Sequence, residues 1–248
     1  MPVPIVAAVR SPFAMADGVL AGWHPVDLSV VVARAALDAA GLAAEAIDHV
    51  WVGCDEPVGA QGANLARAIV LAAGWPETIG GTVVESAPHS GFSALAAACD
   101  AIDAGRVETA VVIGVASSSI VQPGASALAR TYGRPWGDGP ADRYEADGGL
   151  VPPVVAADRA ALAAGVDQAA QDAWGLASIE RRTPPPPGTI VTVGARPGDS
   201  VAVQKDTPVE TDVIRIIAID ELEPIFDEAG TTTAATYAPA ADGVSVLA

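Results

Sequence analysis

Lysine is almost missing from this chain. Among 248 residues there is a single one, Lys205, and 13 basic against 30 acidic side chains leave a formal net charge of −17. Such a surface repels phosphates at long range, which argues against nucleic acid and anionic membranes as partners and leaves little to hold a nucleotide. Cysteine is scarce as well. Cys54 and Cys99 allow at most one disulfide, no Cys-x-x-Cys or Cys/His cluster marks a metal site, and both thiols are expected to behave as small buried hydrophobes. No apolar run approaches the roughly 20 residues of a membrane span. The N-terminus enters a strand without a cationic segment or cleavage site, so the expected compartment is the cytoplasm.

What the chain has in abundance is apolar surface: 51% of it is hydrophobic and only 17% charged, enough for one large core or a core with a small subdomain. Strands and helices alternate from the start. Ile5 to Val9, Val50 to Val52, Thr82 to Val84 and Thr109 to Ile113 read as short buried strands. Between them lie helical patterns over Pro25 to Ala40, about Gly62 to Ala73, and Ser90 to Ala104. Repeated β-α units of this length imply a mainly parallel sheet with helices on both faces.

The rhythm breaks from about Ile120 to Pro153, which is rich in Gly, Pro and Asp and reads as an extended insertion. Helices are expected over Val154 to Ala164 and Gln168 to Arg181, the second N-capped by Asp167 and stopped by Pro184-Pro-Pro-Pro-Gly188. A hairpin over Thr189 to Val193 and Ser200 to Val203, a short helix over Glu221 to Glu228 and a last strand over Val244 to Leu247 complete the reading.

Several segments, taken in order, carry a family resemblance: Val9-Arg-Ser-Pro12, Gly62-Ala-Asn-Leu-Ala-Arg67, Val111-Val-Ile-Gly-Val-Ala-Ser-Ser-Ser119, Val166 to Ser178, and Gly230-Thr-Thr-Thr-Ala-Ala234 followed by Ala241-Asp-Gly243. Together they resemble the thiolase superfamily, of the acetyl-CoA acetyltransferase type. The resemblance covers essentially the whole chain but only the N-terminal half of a thiolase with its loop domain. It implies a layered, mainly parallel α/β core over 1–119, an inserted α+β loop domain over 120–229, and a return segment with the last core strand over 230–248.

Carried over residue by residue, the resemblance mostly records losses. A thiolase nucleophile is a cysteine at the start of the third helix, where the helix dipole and backbone N–H groups stabilise a thiolate. Here the segment reads Thr82-Val-Val-Glu-Ser-Ala-Pro-His-Ser-Gly91, and Pro88 takes the cysteine's place. The family's activating histidine and second cysteine belong to its C-terminal half, which is expected to be absent. The loop-domain pattern Met-Gly-x-Thr-Ala-Glu becomes Pro153-Val-Val-Ala-Ala-Asp158, so Ala156 and Asp158 mark eroded coenzyme A contacts. Gly-Asn-Ala-Ser-Gly becomes Ala235-Thr-Tyr-Ala-Pro239, so Ala238 and Pro239 mark the place of the serine that approaches pantetheine.

Substitutes for the thiol are few. Cys99 lies eleven residues beyond Pro88, about 16 Å along a helix. His89 stands at the helix N-terminus, where a neutral imidazole can act as a base, although a cap or loop contact explains it as well. Ser86 and Ser90 need an oriented base to act as nucleophiles, and Ser90 serves as readily to start the helix. His24 and His49 are expected to be structural, and Arg10 and Arg67 to tie loops to the fold.

The third helix, Phe92 to Cys99 at its centre, is small and apolar all round, as though surrounded. This predicts a non-catalytic thiolase-like subunit that pairs with another copy or with a thiolase-fold partner. A self-contained domain with 120–153 folded over the open face is the plainer reading. Acyltransferase or retro-aldol lyase activity is expected only when a partner completes the chain. No metal and no resident cofactor is expected; a coenzyme A thioester enters by resemblance alone, and a pocket that merely binds ligand is the third possibility.

Overall fold

Alternating burial along the central strands organises the computed structural model, which describes residues 2–128, 133, 135–181, 183–207, 221–226 and 229–248. Strands β1 (Ala8–Arg10), β3 (His49–Gly53), β4 (Gly80–Val84), β5 (Ala110–Ser117) and β8 (Ala241–Leu247) form one sheet in the order β1-β8-β5-β3-β4, with β2 (Ala14–Met15) pairing the end of β8. The pairs β3 with β4 and β3 with β5 are parallel, while β8 runs antiparallel to both β5 and β1. The mainly parallel sheet is therefore as expected, and its one reversed member is the strand that arrives last in sequence.

Side chains of period two divide this sheet between two cores. Val50, Val52, Val111, Ile113, Val115, Val244 and Val246 join the larger core. Helices α1 (Pro25–Ala40) and α2 (Leu65–Ala72) cover it, burying Leu28, Val32, Ala36, Leu65 and Ile69. Each such side chain, when fully buried, stabilises the fold by about 1.5–3 kcal/mol. Trp51 and Val112 point the other way and pack against Ala94, Ala98 and Ala101 of α3 (Ser90–Asp103). The second core is built from alanine and so removes less area from water per residue, and Phe92 on the same helix is 78% exposed.

Local chemistry explains the helix ends. The side chain of His24 accepts from the Val26 N–H at 3.3 Å and Pro25 opens α1, while Gly41 at φ 64° closes it in a left-handed cap. Arg67 donates to the carbonyls of Glu77 and Ile79, tying the loop before β4 to α2. His49 packs on Trp51 with ring centroids 4.2 Å apart and shares a hydrogen bond with Thr82 Oγ1, and burial lowers its pKa.

The chain forms two compact units, and their boundaries depart from those expected. The core unit comprises 1–128, 185–207 and 240–248, and the second unit 129–184 and 208–239. The hairpin, shortened to β6 (Val193–Gly194) and β7 (Ala202–Val203), thus belongs with the core rather than with the insertion. The reason is long-range pairing: Arg10 bridges Ile190, Trp23 Nε1 donates to the Gly194 carbonyl at 2.9 Å, and Arg10 holds Asp206 in a two-pronged ion pair. Conversely, 230–239 belongs with the second unit.

The described residues of 120–153 include helical turns that the composition of this stretch does not suggest. These are α4 (Ala125–Leu128), α5 (Asp138–Tyr144) and a 3-10 turn over Glu145–Asp147. The buried Glu56 carboxylate accepts from the backbone N–H groups of Gly124 and Ser126, at 2.6 and 2.8 Å, and anchors the start of α4. The second unit also holds α6 (Pro153–Ala164) and α7 (Gln168–Glu180). The short helix expected over 221–228 is not formed within 221–226, where Leu222 instead accepts from Gln168 Nε2, and 227–228 lie outside the described residues.

Candidate active site

Strand β4 ends at Val84 and α3 starts at Ser90, so five residues must turn the chain back over the sheet. The turn is tight because Ala87 takes a left-handed φ of 50°, uncommon for a residue with a Cβ. Ser90 is the clamp. Its hydroxyl accepts from Ser86 N at 2.9 Å and donates to the Ala87 carbonyl at 2.6 Å, while Glu85 Oε1 accepts from Ala87 N at 2.7 Å. Ser90 is buried and committed to these bonds, which close the turn ahead of α3 rather than cap the free N–H groups of the helix. Pro88 and His89 stand exposed at the apex, and His89 makes no side-chain cap to α3.

The turn comes close to the sheet at one point. A Cβ on Gly53, the last residue of β3, would lie 2.5 Å from the backbone of Ser90 and Gly91. Beside this contact opens a cleft of about 360 Å³, lined by Phe13, Asp55, Pro88, Ser90, Val115 and Ser245 among others. Phe13 is held there by its own backbone: its N–H donates to Asp206 Oδ1 at 2.8 Å, its carbonyl accepts from Thr207 N at 2.9 Å, and the Arg10 guanidinium lies 4.4 Å from its ring centroid.

Neither cysteine occupies this cleft. Cys54 is 1% exposed and belongs to the larger core; burial first, with the carboxylates of Asp55, Glu56 and Glu85, pushes its pKa up to about 11. A thiol in that setting is inert at neutral pH. Cys99 lies along α3 and lines a separate apolar groove of about 210 Å³ with Ile5, Val6, Leu95 and Leu247.

The sequence reading overlooked Asp55. Burial first, reinforced by Glu56 and Glu85, raises its pKa, and it sits just past the C-terminal end of a buried parallel strand. Ligands bind beyond such strand ends in open α/β sheets, so its place after the run His49 to Gly53 was the available signal.

The remaining sequence candidates lie in the second unit. Ala156 is exposed on α6, Ala238 is exposed, and Pro239 is partly buried. Asp158 is buried and engaged within its own unit: its Oδ1 accepts from the N–H groups of Thr231 and Thr232, at 3.1 and 2.9 Å, and from both hydroxyls. Burial alone would raise its pKa, but these bonds outweigh it and lower the value. Asp172 accepts similarly from the Thr233 hydroxyl. Among the described residues, no cluster of His, Cys, Asp or Glu is arranged to hold a metal ion, and no helix is long and apolar enough to cross a membrane.

Comparison with known proteins agrees with this architecture. The profile described as "Thiolase, N-terminal domain" matches residues 3–248. Acetyl-CoA acetyltransferase of Escherichia coli is 30% identical over 256 aligned positions, covering 98% of this chain and 64% of that protein. Steroid 3-ketoacyl-CoA thiolase FadA6 of Mycobacterium tuberculosis is 36% identical over 133 residues, 54% of this chain and 32% of that one. Among solved structures, human mitochondrial 3-ketoacyl-CoA thiolase in complex with CoA superposes with a TM-score of 0.78 at 22% identity, over 98% of this chain and 63% of its own. The acetyl-CoA acetyltransferase of Syntrophomonas wolfei gives a TM-score of 0.75 at 24% identity, over 98% and 62%. The chain thus spans less than two thirds of the length of these full-coverage relatives.

Proposed function

Because the chain belongs to the thiolase family, matching its N-terminal domain over residues 3–248, we propose that it is a thiolase-like subunit without a working nucleophile, which serves an acyl-CoA-handling assembly by docking rather than by catalysis. One observation carries this reading: Pro88 stands exposed in the turn before α3, where the family resemblance calls for a cysteine, and the thiol just past the end of β3, Cys54, is buried with a raised pKa. A proline offers neither a nucleophile nor an N–H.

Two tests address the chemistry. Incubated with acetoacetyl-CoA, the chain is expected to show no acyl adduct by intact mass spectrometry; an adduct on any residue overturns the proposal. Pro88→Cys is expected to create a thiol at a helix N-terminus that iodoacetamide alkylates, near pH 7, at least about tenfold faster than Cys54, because the new sulfur is exposed and dipole-stabilised while the Cys54 thiol is buried with a raised pKa. Equal rates would mean that the turn does not present its apex as a reactive position.

The open face of α3 supports the docking half. Phe92 is 78% exposed and Ile5 and Val6 are more than half exposed beside the apolar groove that Cys99 lines, a surface soluble proteins usually cover. The occupant is a second copy or a separate thiolase-fold chain. Sedimentation of the purified chain is expected to report a species heavier than one copy, or a monomer that shifts on adding its partner; a well-behaved monomer with no such partner sinks this half alone. The second reading, acyl transfer or retro-aldol cleavage in a completed assembly, is favoured by the cleft itself, which stays open beside Pro88 and Ser90.

A further inference from the structure

Asp55 is the one ionisable side chain among the described residues that line the cleft beside α3, and the walls around it are Phe13, Pro88, Val115 and the backbone of Gly53 and Gly114. At about 360 Å³ the cleft falls within the range of small-molecule sites. Neither of the other nearby acids lines the cleft: Glu56 accepts from the N–H groups of Gly124 and Ser126, and Glu85, just past β4, from the N–H of Ala87, while Asp55 accepts only from the backbone N–H groups of Asp55 and Glu56 beside it. Cys54 is buried in the larger core, and His89, at the start of α3, is exposed. Among the described residues, no basic side chain lines the cleft, so a carboxylate or phosphate entering it would face Asp55 with no lining cation to neutralise the pair.

We propose that Asp55 is the ligand-binding group of this cleft, and that the cleft takes a small neutral carbonyl compound, held noncovalently by a hydrogen bond from the Asp55 carboxyl O–H to the ligand's oxygen, with Phe13 and Pro88 against its carbon chain. Burial first, with the neighbouring Glu56 and Glu85 carboxylates, outweighs the backbone N–H bonds of Asp55 and Glu56 and keeps the proton on Asp55 to higher pH than an exposed aspartate would. No bond to the ligand forms or breaks. The inference deepens the reading of a cleft without a thiol and rests on it only for the absence of a covalent step.

The test is saturation-transfer NMR on the full chain with 2-pentanone as the probe, a ketone with no thioester, followed from about pH 4 to pH 8. In the unsubstituted chain the transfer is expected to fall at least about fivefold as pH rises through the titration of Asp55, the size of one lost hydrogen bond. Asp55→Asn, whose amide N–H donates at every pH, is expected to bind with a flat profile, and Asp55→Ala to bind weakly throughout. A flat profile in the unsubstituted chain overturns the proposal, as does a pH-dependent one in Asp55→Asn. Should Asp55→Ala lose its fold by circular dichroism, the two remaining profiles decide. An acyl adduct in the earlier assay would remove the thiol-free reading and leave this titration untouched.

Discussion

Replacing Gly53 with valine is expected to lower the stability of the core unit by about 3 kcal/mol, the upper part of the range for atoms forced into a packed interior. The first atom added, the Cβ, already falls 2.5 Å from the backbone of Ser90 and Gly91, and backbone cannot rotate away as a side chain does. Either β3 leaves its register between β4 and β5 or α3 lifts from the sheet. At about 2–4 °C per kcal/mol, the midpoint of the core transition drops by about 6–12 °C. The matched control is Gly91→Ala, the second residue of α3, where an added Cβ meets nothing within 4 Å. That variant is expected to be neutral or slightly stabilising. Differential scanning calorimetry of both separates the close approach at Gly53 from any general intolerance of the turn; equal shifts would refute the packing argument.

Asp158→Ala is expected to destabilise the second unit by about 3 kcal/mol, because a buried carboxylate that satisfies the amides and hydroxyls of Thr231 and Thr232 leaves those donors with no acceptor when it goes. Hydrogen exchange at Thr231 to Thr233 reads the effect directly, and protection there is expected to collapse while β3 and β5 keep theirs. Asp158→Asn retains one acceptor oxygen and is expected to lose less. The folded pKa lies below the ordinary carboxylate value, so the stabilisation is fully present above about pH 4. It is lost as pH falls through the folded value, and acid should open this segment in the unsubstituted chain but change little in Asp158→Ala.

Asp158 also shows what a sequence motif leaves open. The sequence places it among eroded coenzyme A contacts by position in a motif. Its carboxylate is already taken up inside the second unit, because the two threonines that claim it lie more than seventy positions further along the chain. A motif fixes a residue's type and place in a helix, not which distant donors reach it. Glu56 is a second case: nothing in the string Cys54-Asp-Glu-Pro57 announces that its carboxylate anchors the helix starting at Ala125. Asp55, by contrast, stands where a buried parallel strand ends and could have been flagged on that ground.

The sequence by itself determined the repeated β-α order, the start and stop of α1 and α3, and the absence of any thiol at the turn before α3. Those features are local: Gly41 caps, Ser90 starts a helix, and runs such as Val50 to Val52 bury themselves whatever lies far away. Only the tertiary structure decided that β8 inserts antiparallel between β1 and β5, that the hairpin near Arg196 joins the core, and that Asp55 is the ionisable side chain among the described residues lining the cleft. Each of these depends on a partner brought from a distant part of the chain. Hydrogen-bond pairing and burial are properties of the folded contacts, and spacing along the chain does not contain them.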